Sequence, residues 1–211
     1  MAGTGKAHLR DGDVLLRVED LVVEFPIGRG LTVSAVAGIS FDVLRGETLG
    51  IVGESGCGKS TTGKAIMRIE QPTSGSVEFD GVDLVALPHA QLREARTRLQ
   101  MIFQDPISSL NPRRRVRDSV KEPLEVWRRG TPQERDAVVD AVLESVGIDP
   151  QRAAESRPHQ FSGGQCQRIS IARALVLDPA VVICDEPVSA LDVSVQAQVL
   201  NLLQDLKAEY G

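Results

Sequence analysis

Residues 14–25, VLLRVEDLVVEF, are rich in Val and Leu, broken by charged positions, and predict a strand with a bend. Pro26, Gly28 and Gly30 predict a loop over 26–34, and a second strand follows over 35–44. Arg45-Gly46-Glu47 turns the chain into Thr48–Val52, a short, nearly continuous apolar run of the kind a buried parallel strand carries. A glycine-rich loop comes next, then a helix over 59–69, with Pro72 and Gly75 beyond it as stops. Ser76–Asp80, with its Asp80-Gly81 turn, predicts one arm of a hairpin, and Leu99–Phe103 predicts another buried strand.

Between 105 and 179 the period becomes helical. Thr131-Pro132-Gln133-Glu134 supplies a cap residue, a proline at the first helical position and a glutamate at the third. Val138, Ala141, Val142 and Val146 then recur at helical spacing until Gly147. A strand returns over 180–184, and a last helix carries Leu191, Val195, Val199, Leu202 and Leu206 on one face. The order is sheet, helical insert, sheet, without internal repeat or low-complexity segment. It predicts an α/β fold in which 14–104 and 180–211 form a core and 105–179 an inserted helical lobe.

Composition narrows the classes. The 211 residues carry 24 Lys and Arg against 29 Asp and Glu, a formal charge of −5. A general nucleic-acid binder usually carries the opposite excess, so no nucleic-acid partner is expected. Apolar residues at 42% and charged residues at 25% suit a folded chain. No apolar run is long enough to predict a membrane span, and MAGTGKAHLRDGD lacks the apolar stretch of a secretory signal. Cys57, Cys166 and Cys184 are odd in number and far apart, which predicts neither a disulfide framework nor a zinc site and points to a reducing cytoplasm.

The chemistry concentrates in two places. Gly53-Glu54-Ser55-Gly56-Cys57-Gly58-Lys59-Ser60, followed by Thr61, lies between the predicted strand and helix. Glycines let the backbone curl so that successive N–H groups point inward, and a helix N-terminus adds to their pull on an anion. Lys59 would reach the β- and γ-phosphates of a nucleotide, and the Ser60 hydroxyl would ligate Mg²⁺. Alkylation of Cys57 in this loop would block nucleotide. The second place is Val181-Val182-Ile183-Cys184-Asp185-Glu186, where four apolar residues set two carboxylates at a strand end. Asp185 would hold Mg²⁺ through water and Glu186 would polarise the attacking water.

Between them, Phe161-Ser162-Gly163-Gly164-Gln165-Cys166-Gln167-Arg168 resembles the signature sequence of ABC ATPases, with Phe161 in place of the usual Leu. Ser162 with Gln165 is also a capping-box pattern, so a plain helix start stands beside that reading. The resemblance covers about Val14 to Tyr210. It implies a P-loop NTPase (RecA-like) core with an N-terminal antiparallel β subdomain and an inserted α-helical subdomain. It also implies that Ser162, Gly163, Gly164 and Gln165 meet the γ-phosphate bound to a second subunit. Gln104 matches the Q-loop glutamine, which touches Mg²⁺ or the lytic water and couples to the transport subunit. Ser189-Ala190-Leu191-Asp192 matches the D-loop at the dimer interface, where Asp192 could equally cap the last helix. Phe25 stands where the family places an aromatic on adenine; a core role is the alternative.

Met101-Ile102-Phe103-Gln104-Asp105-Pro106, Ser109-Leu110-Asn111-Pro112 and the segment from Asp185 to Gln198 are similar to the oligopeptide, dipeptide and nickel importers of that family. The resemblance therefore implies an ATPase subunit with Lys59, Gln104 and Glu186 in catalysis and Mg·ATP as its nucleotide. Its partners would be a like subunit, integral-membrane permeases and, indirectly, a solute-binding protein, at the cytoplasmic face of the cell membrane. Arg113-Arg114-Arg115 with Arg117 is either a solvated face or a patch for acidic permease residues or lipid headgroups. The family pattern continues to a strand ending in a switch histidine, but His8, His89 and His159 all precede Glu186. The chain thus reads as incomplete at its C-terminus, with weak hydrolysis and poor solubility expected in isolation. The competing readings are a soluble ABC-type ATPase not coupled to transport and an ATP-binding fragment that does not hydrolyse.

Overall fold

A computed structural model describes residues 9–10, 12–28 and 30–210. His8 and most of the N-terminal stretch MAGTGKAHLRDGD lie outside them. The chain divides into two compact units, the first running to Arg96 and the second spanning Thr97–Tyr210. No helix among the described residues is long and apolar enough to cross a membrane.

The first unit contains β1 (Val14–Gly28), β2 (Leu31–Leu44), α1 (Lys59–Ile66), β3 (Ser74–Phe79), β4 (Val82–Asp83) and α2 (His89–Ala95). Its sheet is antiparallel, in the order β2-β1-β3-β4. Leu16, Val18, Leu21 and Val23 of β1 are buried with Val77 and Phe79 of β3, the alternation expected of a sheet with one dry face. The loop expected over 26–34 is instead the end of a hairpin, with Pro26 opposite Thr32. The proline is tolerated because β3 pairs with β1 only as far as Val22, which leaves the outer stretch of β1 with an open edge. Asp80 and Gly81 both have positive φ, 52° and 78°, as a two-residue hairpin turn between β3 and β4 requires.

Two further expectations for this unit fail. Thr48–Val52 forms no strand, and Val52 is 96% exposed. Apolar content alone cannot hold a strand: its N–H and C=O groups need a neighbouring ladder, and residues 48–52 have none among the described residues. The helix after the loop also stops at Ile66, before residue 69. Arg68 takes φ 51°, and the bonds Arg68 N to Ala65 O and Ile69 N to Lys64 O close the end. The Arg68 guanidinium locks this turn by donating to Leu84 O and Leu87 O, both at 2.7 Å.

The second unit contains β5 (Leu99–Ile102), α3 (Pro106–Ser109), α4 (Val116–Val126), α5 (Pro132–Ser145), α6 (Pro150–Glu155), α7 (Gly163–Leu175), β6 (Val181–Cys184) and α8 (Val193–Tyr210). β5 and β6 pair in parallel, Leu99 with Val181 through Ile102 with Cys184. One apolar cluster joins Ile102, Val120, Leu143, Ile169, Ile171 and Val199. The Thr131–Glu134 capping box forms as expected. The buried stripe of α5, however, is Val139, Val142, Leu143 and Val146, while Val138 and Ala141 are exposed. Both stripes have helical spacing, and the one containing the larger Leu143 is the one that packs inward.

Candidate functional site

Unit 1 carries the glycine-rich loop. Gly58, with φ 96°, is the residue before α1, and its backbone passes so close to β2 that a Cβ would collide with the Ala35 carbonyl oxygen. Only glycine meets both conditions. At the other end of the loop, a Cβ on Gly53 would strike Cys57 Sγ, and Gly56 has φ 81°. The Lys59 ammonium folds back to donate to Gly53 O at 3.0 Å and Glu54 O at 2.9 Å. Gly53 through Cys57 are exposed, while Gly58, Lys59, Ser60 and Thr61 are half-buried. The result is a short coil with its cation drawn over its own carbonyls, beside the N-terminus of α1. Phe25, on β1 opposite Val33, is 38% exposed and is not a core residue.

Unit 2 carries the carboxylates. The Asp185 N–H donates to Ile102 O at 2.9 Å, continuing the β5–β6 ladder one step and placing Asp185 and Glu186 where it ends. Glu186 has φ 45°, a left-handed backbone rare for a residue with a side chain. Gln104, 82 residues away in sequence, donates its amide to Glu186 Oε2 at 3.0 Å and to Ser189 Oγ at 3.3 Å. Parallel pairing makes this meeting, because β5 and β6 end side by side and Gln104 and Glu186 each follow two residues behind. The sequence reading names both residues but not Ser189 as their partner. The available signal is Glu186-Pro187-Val188-Ser189, a proline turn whose fourth residue can bond back to its first.

The element after Gln104 is also fixed. Asp105 caps α3 by accepting from Ile107 N at 2.9 Å and Ser108 N at 3.2 Å, and these bonds hold its carboxyl below the usual range. α3 is tied to α7 by Ser109 Oγ to Ser170 Oγ at 3.0 Å and by Arg173 donating to Ser109 O at 2.7 Å.

α7 begins with the glycine pair. Ser162 and Gln165 form a reciprocal capping box, at 3.3 and 3.0 Å. A Cβ on Gly164 would lie 2.5 Å from Val195 Cγ1, so this glycine serves close packing of α7 against α8 as well as any outward approach. Phe161 is buried under the Arg152 guanidinium, 4.6 Å from its ring centroid. Gln167, fully buried one turn further on, has neither amide end bonded among the described residues. The Asp192 carbonyl accepts from Val195 N and Gln196 N at 2.9 Å as α8 starts.

The arginine run is largely consumed within the unit. Arg114 pairs with Glu122 at 2.5 Å, and Arg117 grips Asp140 through Nε and Nη2, both at 2.8 Å. Arg113 and Arg115 remain exposed. Cys57 is exposed and Cys166 buried, and burial pushes the Cys166 thiol up.

The donor set suits a magnesium ion. Gln104 turns its N–H groups to Glu186 and Ser189, which leaves Oε1 as its oxygen donor. With the Asp185 carboxylate of the same unit it offers hard oxygen ligands, the type Mg²⁺ takes.

A glycine coil ahead of a helical lysine and serine, with paired acids closing a parallel strand, defines a phosphate-loop protein of the α/β class. Residues 36–189 match the ABC transporter family model, and the chain belongs to that family. The oligopeptide transport ATP-binding protein AppF of Bacillus subtilis is 49% identical over 206 residues, covering 94% of this chain and 62% of its own length. OppF of Salmonella typhimurium, an oligopeptide transport ATP-binding protein, is 49% identical over 215 residues, covering 97% and 64% respectively. The chain thus spans about three fifths of the length of these curated relatives. A dimeric, post-hydrolysis structure of the ATP-binding cassette MJ0796 bound to ADP and Pi is 30% identical with a TM-score of 0.83, over 93% of this chain and 84% of that one. The fold is that of an ABC ATPase cassette, with its antiparallel β sheet and its helices.

Proposed function

We propose that this chain is the ATP-binding part of a peptide importer, hydrolysing ATP to drive solute through a membrane permease. The observation that carries the reading is the Gln104–Glu186 bond at 3.0 Å beside Asp185, which brings together at one strand end the residues to which this reading gives water activation. The family membership and the two oligopeptide transport relatives support the solute class.

In this reading Gly53 to Thr61 wrap the triphosphate, and Lys59 exchanges the Gly53 and Glu54 carbonyls for phosphate oxygens, which are stronger acceptors for an ammonium. Ser60, Asp185 and Gln104 would hold Mg²⁺, which neutralises charge on the phosphates when bound. Glu186 accepts the proton of the attacking water, and Gln104 orients the carboxylate that does so. Phe25, exposed on β1, offers a face for adenine. Ser162, Gly163, Gly164, Gln165 and Asp192 act across a dimer on the nucleotide of a second subunit. A site completed only on pairing couples hydrolysis to closure. Residues 105–179 form the lobe that meets the permease, at the cytoplasmic face of the membrane.

Calorimetry with Mg·ATP is the direct test. Heat of binding is expected for the wild type and for Glu186→Gln, none for Lys59→Ala, and phosphate release should be lost in both variants. Wild-type protein that takes up no Mg·ATP, or Lys59→Ala that binds like wild type, overturns the proposal.

A further inference from the structure

The turn after Glu186 contains a closed ring of hydrogen bonds that the proposed chemistry does not use. The Ser189 N–H donates to Glu186 O at 3.2 Å, closing a four-residue turn. The Ser189 hydroxyl donates to the same carbonyl at 3.1 Å. A hydroxyl has one proton, so towards Gln104 Ser189 Oγ is the acceptor, and the Gln104 amide meets it at 3.3 Å. The second N–H of that amide goes to Glu186 Oε2 at 3.0 Å. Every donor in the ring therefore points towards Glu186 or towards the group that holds it.

Glu186 needs such a hold. Its backbone sits at φ 45°, a conformation that costs free energy for a residue with a Cβ and persists only where surrounding bonds over-determine it. Gln104 reaches it from the end of another strand, and a side-chain amide on its own can rotate away. The Ser189 hydroxyl supplies the second point that fixes the amide plane, so that one N–H faces the carboxylate. Ser189 is itself exposed, and it packs no core.

We propose that Ser189 is a positioning residue for Glu186: its hydroxyl pins the turn behind the glutamate and orients the Gln104 amide that holds the glutamate's carboxylate. The proposal rests on the ATPase reading above and adds to it a residue that touches neither nucleotide nor water.

The test uses the full chain with two independent readouts. The first is the ¹⁵N–¹H side-chain amide pair of Gln104, assigned by its disappearance in Gln104→Ala. In Ser189→Ala this pair should move, and Ser189→Thr, which restores a hydroxyl, should return it towards the wild-type position. The second is steady-state hydrolysis: loss of one such bond should lower kcat about three- to tenfold in Ser189→Ala, with KM for ATP unchanged and Ser189→Thr restoring most of the rate. An unmoved amide pair in Ser189→Ala overturns the proposal. So does a loss of rate that comes with a raised KM or that threonine fails to rescue. Wild-type protein without turnover overturns the underlying ATPase reading instead, while the amide readout still decides whether Ser189 orients Gln104.

Discussion

Single residues in this chain are constrained by backbone geometry as much as by chemistry. Gly58 combines φ 96° with contact against the Ala35 carbonyl, so Gly58→Ala is strained twice over. The expected cost is about 1–3 kcal/mol of stability, read as a lower urea midpoint, together with weakened Mg·ATP binding. An unchanged midpoint would show that the loop relaxes freely around a methyl group. The sequence announces this residue through the spacing of its glycines and lysine. It does not announce Glu186's left-handed backbone, because a glutamate carries no sign of the turn that follows it until the Pro187–Ser189 bonds are seen.

At the scale of elements, local signals held where the element closes on itself and failed where it depends on a neighbour. The caps of α5 and α7 lie within four residues and were legible from Thr131–Glu134 and Ser162–Gln165. Thr131→Ala should destabilise the second unit by about 1 kcal/mol, measured by denaturation, and should leave nucleotide affinity unchanged. The inward stripe of α5 was not legible in the same way. Two stripes satisfy the helical period, and packing against α4, α6 and α7 chooses the one with Val139 and Leu143. Thr48–Val52 is the clearest failure: the run is apolar enough for a strand, but the ladder that would make it one is a property of its neighbours.

At the scale of the whole molecule, the second unit carries three carboxyls held below their usual range, which makes its stability sensitive to acid. Lys121, with Arg117, holds the Asp136 carboxyl below its usual range, and the Thr131 cap does the same for Glu134 and the Ser108 and Ile107 N–H groups for Asp105. A carboxyl depressed in the folded state contributes stability that is complete above its unfolded pKa and disappears as the pH falls through its folded one. Unfolding monitored at Trp127, the chain's one tryptophan and a residue of this unit, should therefore grow easier as the pH drops below the ordinary carboxylate range. Asp136→Asn should flatten that dependence, and a pH-independent midpoint from 6 to 3 in the wild type, a window of roughly the carboxylate titration, would contradict it.

What the sequence determined by itself was whatever depends on short spacing along the chain: the phosphate loop, the adjacent acids, the helix caps and the family they resemble. Tertiary structure alone decided which distant residues meet. Gln104 reaches Glu186 because two strands run parallel in register, Gly164 lies under Val195 because two helices pack closely, and half of the arginine run is spent on acids of neighbouring helices. The physical reason is that turn and cap geometry is set by a few consecutive torsions, whereas pairing, register and burial are settled only when separate segments compete for the same partners and the same dry space.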